Sequence, residues 1–200
     1  MKKQILTVLF ATQLMTQAYA GGDVEVVETE TVETEAVEVE ESKFYVVVKG
    51  LASLGAEAEH GDAILDGDGG YGFGIDLGYR IGSGFAMEYD FSYAKNTVKE
   101  HMDGHVDEED FDATYYTSSL DLVYTFEATE TVGLFAKVGY EYEWEEIDGL
   151  HIDSRDDGFI VGAGVEVAIS ENYKLVAEYE HSTIDSPRGD SLYAGLMFNF

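Results

Sequence analysis

The chain has no cysteine, a single proline (Pro187) and no run of 18 apolar residues, so a helix cannot carry it across a bilayer. Without disulfides, an exported protein must be held together by its core or by a membrane. Basic residues are also scarce, with 11 Lys and Arg against 41 Asp and Glu and a net charge of −30. Nucleic-acid binding is therefore excluded, because it requires cations that neutralise phosphates.

The last ten residues alternate strictly between two faces. Leu192, Ala194, Leu196, Phe198 and Phe200 share one face, and smaller or more polar residues share the other. This period of two predicts a strand with one apolar face. In a soluble sheet such an edge would promote aggregation, whereas a closed membrane barrel uses its last strand to pair with the first.

The N-terminus predicts export. Residues 1–20 have a basic start, an apolar stretch and small residues at Ala18 and Ala20, which is typical of a secretory signal peptide cleaved after Ala20. An uncleaved membrane anchor is the alternative. Residues 21–42 carry nine acidic residues and no basic one, which predicts a disordered acidic tail rather than an ordered strand.

Residues 43–200 contain eight segments with period-two alternation. Most reach the roughly 9–11 residues that a tilted membrane-spanning strand needs. Tyr and Trp often lie near the segment ends, as at a membrane interface. The predicted strands are 44–54, 71–81, 85–94, 114–126, 132–145, 159–169, 173–182 and 191–200.

The segments have apolar outward faces and polar inward faces, which predicts an all-β, eight-stranded antiparallel transmembrane β-barrel that follows the tail. A soluble lipocalin-like barrel or a sandwich is the alternative, but charges in mid-strand argue against it. Connections alternate between short ones and long predicted loops at 55–70, 95–113, 146–158 and 183–190. Short periplasmic turns and long extracellular loops are typical of outer-membrane barrels, with both termini in the periplasm.

Residues 43–200 resemble the small outer-membrane barrels of the OmpA, OmpX and Opa type, a porin-like family of Gram-negative bacteria. Gly158 to Glu180 is closest to that pattern, and Tyr193, Gly195, Phe198 and Phe200 resemble the family's C-terminal assembly signal. The resemblance implies location in the bacterial outer membrane, contact with outer-membrane lipid and lipopolysaccharide, and insertion by the barrel assembly machinery.

The inward faces carry charged residues that can form a network in the lumen. Eight strands leave a lumen that side chains can fill. Folding about the turns places Asp121 opposite Lys137 and Arg80 diagonal to Glu88. A plug of ion pairs is the favoured interpretation, and a narrow cation-preferring path is the alternative. The predicted inward residues are Lys49, Asp76, Arg80, Glu88, Asp90, Asp121, Lys137, Glu141, Glu166 and Glu178.

The long loops are acidic. Solvated, mutually repelling surface loops are the simplest interpretation, and binding of Ca²⁺ or Mg²⁺ by Asp62, Asp66 and Asp68 is the alternative, because these cations prefer carboxylate oxygens. No cofactor other than such an ion is expected.

His181, Thr183 and Asp185 are candidates for a catalytic triad, because a His, a hydroxyl and a carboxylate can form one. Threonine is an uncommon nucleophile in this setting and no oxyanion site is readable. We therefore expect a non-enzymatic protein for envelope integrity and surface interaction, with a possible extracellular ligand. A narrow diffusion channel is the alternative, and a lipid-modifying enzyme is a remote one.

Overall fold

The computed structural model describes residues 43–60, 63–102, 105–106 and 110–200, so the predicted signal peptide, its cleavage after Ala20 and the acidic tail lie outside the described residues. No helix in this part of the chain is long and apolar enough to cross a membrane. The described elements are all strands: β1 (Phe44–Ser53), β2 (Glu57–His60), β3 (Ala63–Gly67), β4 (Gly70–Gly82), β5 (Phe85–Met102), β6 (His105–Val106), β7 (Phe111–Glu127), β8 (Val132–Ile147), β9 (Ile152–Ala168), β10 (Tyr173–Ser182) and β11 (Ser191–Asn199).

Eight of these strands close into an antiparallel barrel in the order β1-β4-β5-β7-β8-β9-β10-β11, which confirms the predicted fold class. The last strand completes the ring by pairing with the first, from Tyr45 opposite Asn199 to Ser53 opposite Ser191. Because the ring is closed, none of these eight strands has an unpaired edge within the barrel wall, as a lipid environment requires.

The connections differ in length at the two ends of the barrel. At the turn end, strands are joined by short turns and the chain ends at Phe200, whose N–H donates to the carbonyl of Phe44 at 3.0 Å. At the loop end, β5, β7, β8 and β9 are 16 to 18 residues long. The strand hairpins therefore extend well beyond the roughly 9–11 residues that cross a bilayer.

The prediction of irregular loops at 55–70, 95–113 and 146–158 was wrong in part. β2 and β3 form a hairpin inside the first of these, and β3 pairs with the end of β5. Side chains continue to alternate between the inner and outer faces above the expected membrane region, where the inward-facing Val98 and Tyr115 are fully buried. This buried apolar contact keeps the strands paired despite the surrounding acidic residues.

The two faces of the barrel wall follow the predicted alternation. Large apolar residues such as Leu77, Leu120 and Leu175 are about half exposed on the outer face. Inside, two apolar clusters lie near the two ends, one around Tyr45 and Met197 and the other around Leu65 and Ile147. Charged side chains fill the lumen between them.

Candidate functional site

Two buried lysines lie in the middle of the lumen. Lys49 and Lys137 are 2% and 4% exposed. The Nζ atom of Lys49 lies 2.9 Å from Asp76, 2.6 Å from Asp90 and 3.5 Å from Glu178. An isolated ammonium group would be very costly here, so this ring of carboxylates is what makes its burial possible.

Lys137 ties neighbouring strands into the same network. Its Nζ atom lies 2.6 Å from Glu178, 2.8 Å from Glu180 and 3.5 Å from Asp90. Glu178 and Asp90 therefore contact both lysines, and one connected group of charges spans β1, β4, β5, β8 and β10. Such a group cross-links the barrel through its interior.

Glycines on the inner wall provide the space for the lysine stems. A Cβ on Gly195 would lie 2.7 Å from the Cβ of Lys49, and one on Gly162 would lie 2.9 Å from the Cγ of Lys137. These contacts are too close for a carbon atom. Glycine opposite each lysine is thus needed for the lysine side chain to fit in the lumen.

The predicted lumen residues are buried on the inner face, apart from the half-buried Arg80. They are divided among several separate groups of contacts rather than joined in a single network. Arg80 donates to Asn199 at 2.8 Å and lies over the ring of Tyr45, while Glu88 accepts a 2.6 Å hydrogen bond from the Tyr45 hydroxyl. Tyr45 therefore contacts both members of the diagonal that the sequence predicts. Glu166 is paired with Lys174 at 2.6 Å, towards the turn end.

The prediction that Asp121 lies directly opposite Lys137 was wrong. Asp121 faces Gly139, and Lys137 faces Val123. The turn between β7 and β8 is centred one residue further along the chain than predicted, which moves each partner by two positions. Asp121 still lies 3.8 Å from the Lys137 Nζ atom, because a diagonal neighbour remains within reach.

Arg188 is a lumen residue that the sequence reasoning missed. It belongs to the β10–β11 loop (residues 183–190), yet it is 1% exposed. Its Nη2 atom lies 2.9 Å from Glu141 and its Nε atom 2.7 Å from Glu143. The loop therefore folds into the barrel mouth, and no period-two pattern could have signalled this.

The β10–β11 loop is fixed by backbone bonds as well. The N–H groups of Leu54 and Gly55 donate to the carbonyls of Asp190 and Arg188 at 2.8 and 3.0 Å. Asn96 donates to the carbonyl of Pro187 at 2.9 Å. The β10–β11 loop thus covers the mouth of the barrel and is held there by hydrogen bonds.

The outer end of this loop is anchored by Asp190. Its carboxylate accepts hydrogen bonds from the Tyr179 hydroxyl and, at 2.7 Å, from Nδ1 of His181. Partial desolvation would raise the pKa of Asp190, but the hydrogen bonds from Tyr179 and His181 outweigh it and hold the pKa below its usual value. The ionised carboxylate is therefore the favoured state of this contact.

The residues considered for catalysis have other partners. His181 is bonded to Asp190, the Thr183 hydroxyl accepts the Phe159 N–H at 2.8 Å, and Asp185 accepts the Glu59 N–H at 3.3 Å. The structure therefore gives His181 a different carboxylate from the one that the sequence suggested.

Of the three predicted metal ligands, Asp62 lies outside the described residues. Asp68 lies 3.8 Å from the Nζ atom of Lys99, and Asp66 faces Lys99 across the β3–β5 pairing. In the described part of the chain no group of three or more His, Cys, Asp or Glu side chains is arranged to hold a metal ion. Binding of Ca²⁺ or Mg²⁺ by the loops stays a prediction.

The C-terminal residues divide between the two faces of β11. Tyr193 is buried in the lumen beneath Lys49, whose Nζ atom lies 4.1 Å from the ring centroid. Phe198 packs against Tyr173 on the outer face with ring centroids 5.5 Å apart, and Phe200 is exposed. Their role as an assembly signal stays a prediction.

A closed eight-stranded barrel with an apolar outer wall and a charged lumen is the architecture of a small membrane barrel. The family described as outer membrane protein beta-barrel domain matches residues 6–200, and the chain belongs to this family. Membership places the protein in the bacterial outer membrane. Among curated proteins, no sequence matches the chain significantly.

Solved structures show the same fold. Neisserial surface protein A is 20% identical, covers 78% of this chain and 97% of its own, and has a TM-score of 0.55. OprG from Pseudomonas aeruginosa is 10% identical with a TM-score of 0.62, covering 80% of this chain and 97% of its own. Ail of Yersinia pestis, in complex with the heparin analogue sucrose octasulfate, is 17% identical with a TM-score of 0.51, covering 80% and 99%.

Proposed function

We propose that this outer-membrane barrel is a non-enzymatic protein of envelope integrity and surface interaction, closed to solute flow. The observation that carries the proposal is the filled lumen: Lys49 and Lys137 cross-link the wall at mid-height, and Arg188 is buried in the mouth above them. Apolar side chains around Tyr45 and Met197 add a further layer towards the turn end.

The long-loop end supports the surface role. Its strand hairpins project past the span of a bilayer, and acidic side chains on them are exposed, among them Glu57, Asp112, Asp148 and Asp156. Ail has been crystallised with a polyanion, a heparin analogue. With a net charge of −30, the present chain is better suited to a cationic ligand, because like charges repel.

Planar-bilayer recording tests the closed lumen. We expect the purified barrel to insert without stable conductance steps, and heat-dependent gel migration of the same sample verifies that it is folded. Reproducible ion-conducting steps would contradict the proposal.

A narrow cation-preferring channel is the second candidate, and one observation favours it. Within the described residues, ten buried carboxyl side chains face three buried cationic side chains, so the lumen is lined by more cation-attracting oxygens than its own lysines and arginine occupy. If steps appear and are cation-selective, this candidate replaces the first. Removal of Asp121 or Glu141 should then lower the selectivity, whereas removal of the exposed Asp148 should not.

A further inference from the structure

The guanidinium of Arg188 occupies a binding seat in the barrel mouth that is formed by the carboxylates of Glu141 and Glu143. Glu143 and Glu141 contact two different guanidinium nitrogens, Nε at 2.7 Å and Nη2 at 2.9 Å. Such charge-assisted contacts to a planar fork are the usual way proteins recognise a guanidinium group. Two strand residues at i and i+2 on β8 supply both carboxylates, so the seat belongs to the rigid wall.

The occupant comes from a loop rather than from the wall. Residues 186–188 are buried under the mouth although they lie between two strands. The carbonyls of Arg188 and Pro187 accept the N–H groups of Gly55 and Ala56 at 3.0 and 3.2 Å, and the carbonyl of Asp190 accepts the Leu54 N–H at 2.8 Å. Gly189 has a positive φ of 66°, a conformation that allows the chain to reverse next to Arg188. The loop thus places a cation beside two carboxylates of β8.

The seat is not perfectly matched to Arg188. Among the described residues, its buried Nη1 and Nε atoms have no hydrogen-bond partner, so Nε and Glu143 form an ionic contact at 2.7 Å without a hydrogen bond. A buried donor without a partner is costly, and a free guanidinium in the seat is able to reorient and pair the donors that the tethered one leaves without a partner. The excess of buried carboxylates gives such a ligand further acceptors.

We propose that Arg188 is a tethered self-ligand of a guanidinium-binding site in the barrel mouth, and that a guanidinium-bearing ligand from outside, such as an arginine side chain, displaces it and lifts the β10–β11 loop. The Lys49 and Lys137 network fills the lumen beneath this site, so a ligand would enter it from the loop end. The inference rests on the proposed surface role and names its ligand class.

Displacement follows from differential affinity. The closed loop state cannot bind a second guanidinium in the same seat, whereas the lifted state can, so ligand shifts the population towards the lifted state. Exposed acidic residues around the mouth, including Asp153 and Asp185, raise the local concentration of a cationic ligand.

The first test empties the seat with Arg188→Ala and titrates methylguanidinium while the melting temperature of the detergent-solubilised barrel is measured. We expect a saturable rise in the melting temperature that sodium chloride at equal ionic strength does not reproduce. The matched control, Arg188→Ala with Glu143→Gln, should lose most of that rise. Equal responses of the two variants, or no response, would overturn the site.

The second test leaves Arg188 in place, so it does not depend on the variant folding. The chain has no cysteine, which allows a single nitroxide label at Asp185→Cys in the loop, with Glu130→Cys on the opposite turn as the control. We expect arginine amide to increase the mobility of the label at 185 and to leave the label at 130 unchanged. An unresponsive label at 185 would overturn displacement. Neither readout involves ion conduction, so failure here is distinguishable from failure of the closed-lumen proposal.

Discussion

Replacing Lys137 by alanine is the most direct perturbation of the lumen network. The substitution removes an ammonium that lies 2.6 Å from Glu178, 2.8 Å from Glu180, 3.5 Å from Asp90 and 3.8 Å from Asp121. Lys49 contacts two of these carboxylates, but Glu180 loses its ionic partner within the described residues. Removing one side of a buried ion pair costs about 3–5 kcal/mol.

This cost converts into a measurable shift. For a chain of this size, 1 kcal/mol changes the melting temperature by about 2–4 °C, so Lys137→Ala should lower it by about 6–20 °C. Thermal unfolding of the detergent-solubilised barrel, followed by heat-dependent gel migration or circular dichroism, provides the measurement.

Two comparison variants separate the effect of burial and the effect of side-chain volume from the effect of the lost charge. Lys99→Ala removes an exposed lysine whose carboxylate partners are 3.7 and 3.8 Å away, and it should cost no more than about 1 kcal/mol. Lys137→Met keeps most of the side-chain volume but not the charge, and it should remain destabilised. An unchanged melting temperature in Lys137→Ala, or full recovery in Lys137→Met, would refute the reasoning.

Two further predictions concern the inner wall and the loop anchor. A Cβ on Gly139 would lie 1.8 Å from the Asp121 carboxylate, so Gly139→Ala should lower the melting temperature, while Gly50→Ala, whose nearest contact would be 3.9 Å, should not; equal effects would contradict the packing. Because the hydrogen bonds to Asp190 lower its pKa, its anchoring contribution is present above the ordinary aspartate pKa and is lost as the pH falls through the lowered value. His181→Ala should therefore raise the titration midpoint of Asp190 in carboxyl NMR, and an unchanged midpoint would rule out the contact.

The strand faces of this barrel could be predicted from sequence because the side-chain period of two is imposed by the strand itself. Leu120, Leu122 and Tyr124 lie outside and Asp121 and Val123 inside, as alternation requires. The same alternation predicts that Lys49 and Lys137 face the lumen, where the structure places them.

The cross-strand partners and the loop could not be predicted in the same way. A shift of one residue in the centre of the β7–β8 turn places Gly139, rather than Lys137, opposite Asp121. Arg188 lies in a loop where no periodicity indicates which side chain turns inward, and its burial depends on Glu141 and Glu143 some 45 residues away in sequence. Such long-range pairing is set by the closed barrel rather than by local pattern.

The central claim is that the apolar outer wall contacts lipid while the charged side chains are enclosed. A nitroxide at Leu122→Cys on the outer wall and one at Glu130→Cys on a turn test it in lipid bilayers, through collision rates with oxygen and with a water-soluble nickel chelate. We expect the label at 122 to collide mainly with oxygen and the label at 130 mainly with the chelate. A label at 122 as open to the chelate as the one at 130 would contradict it.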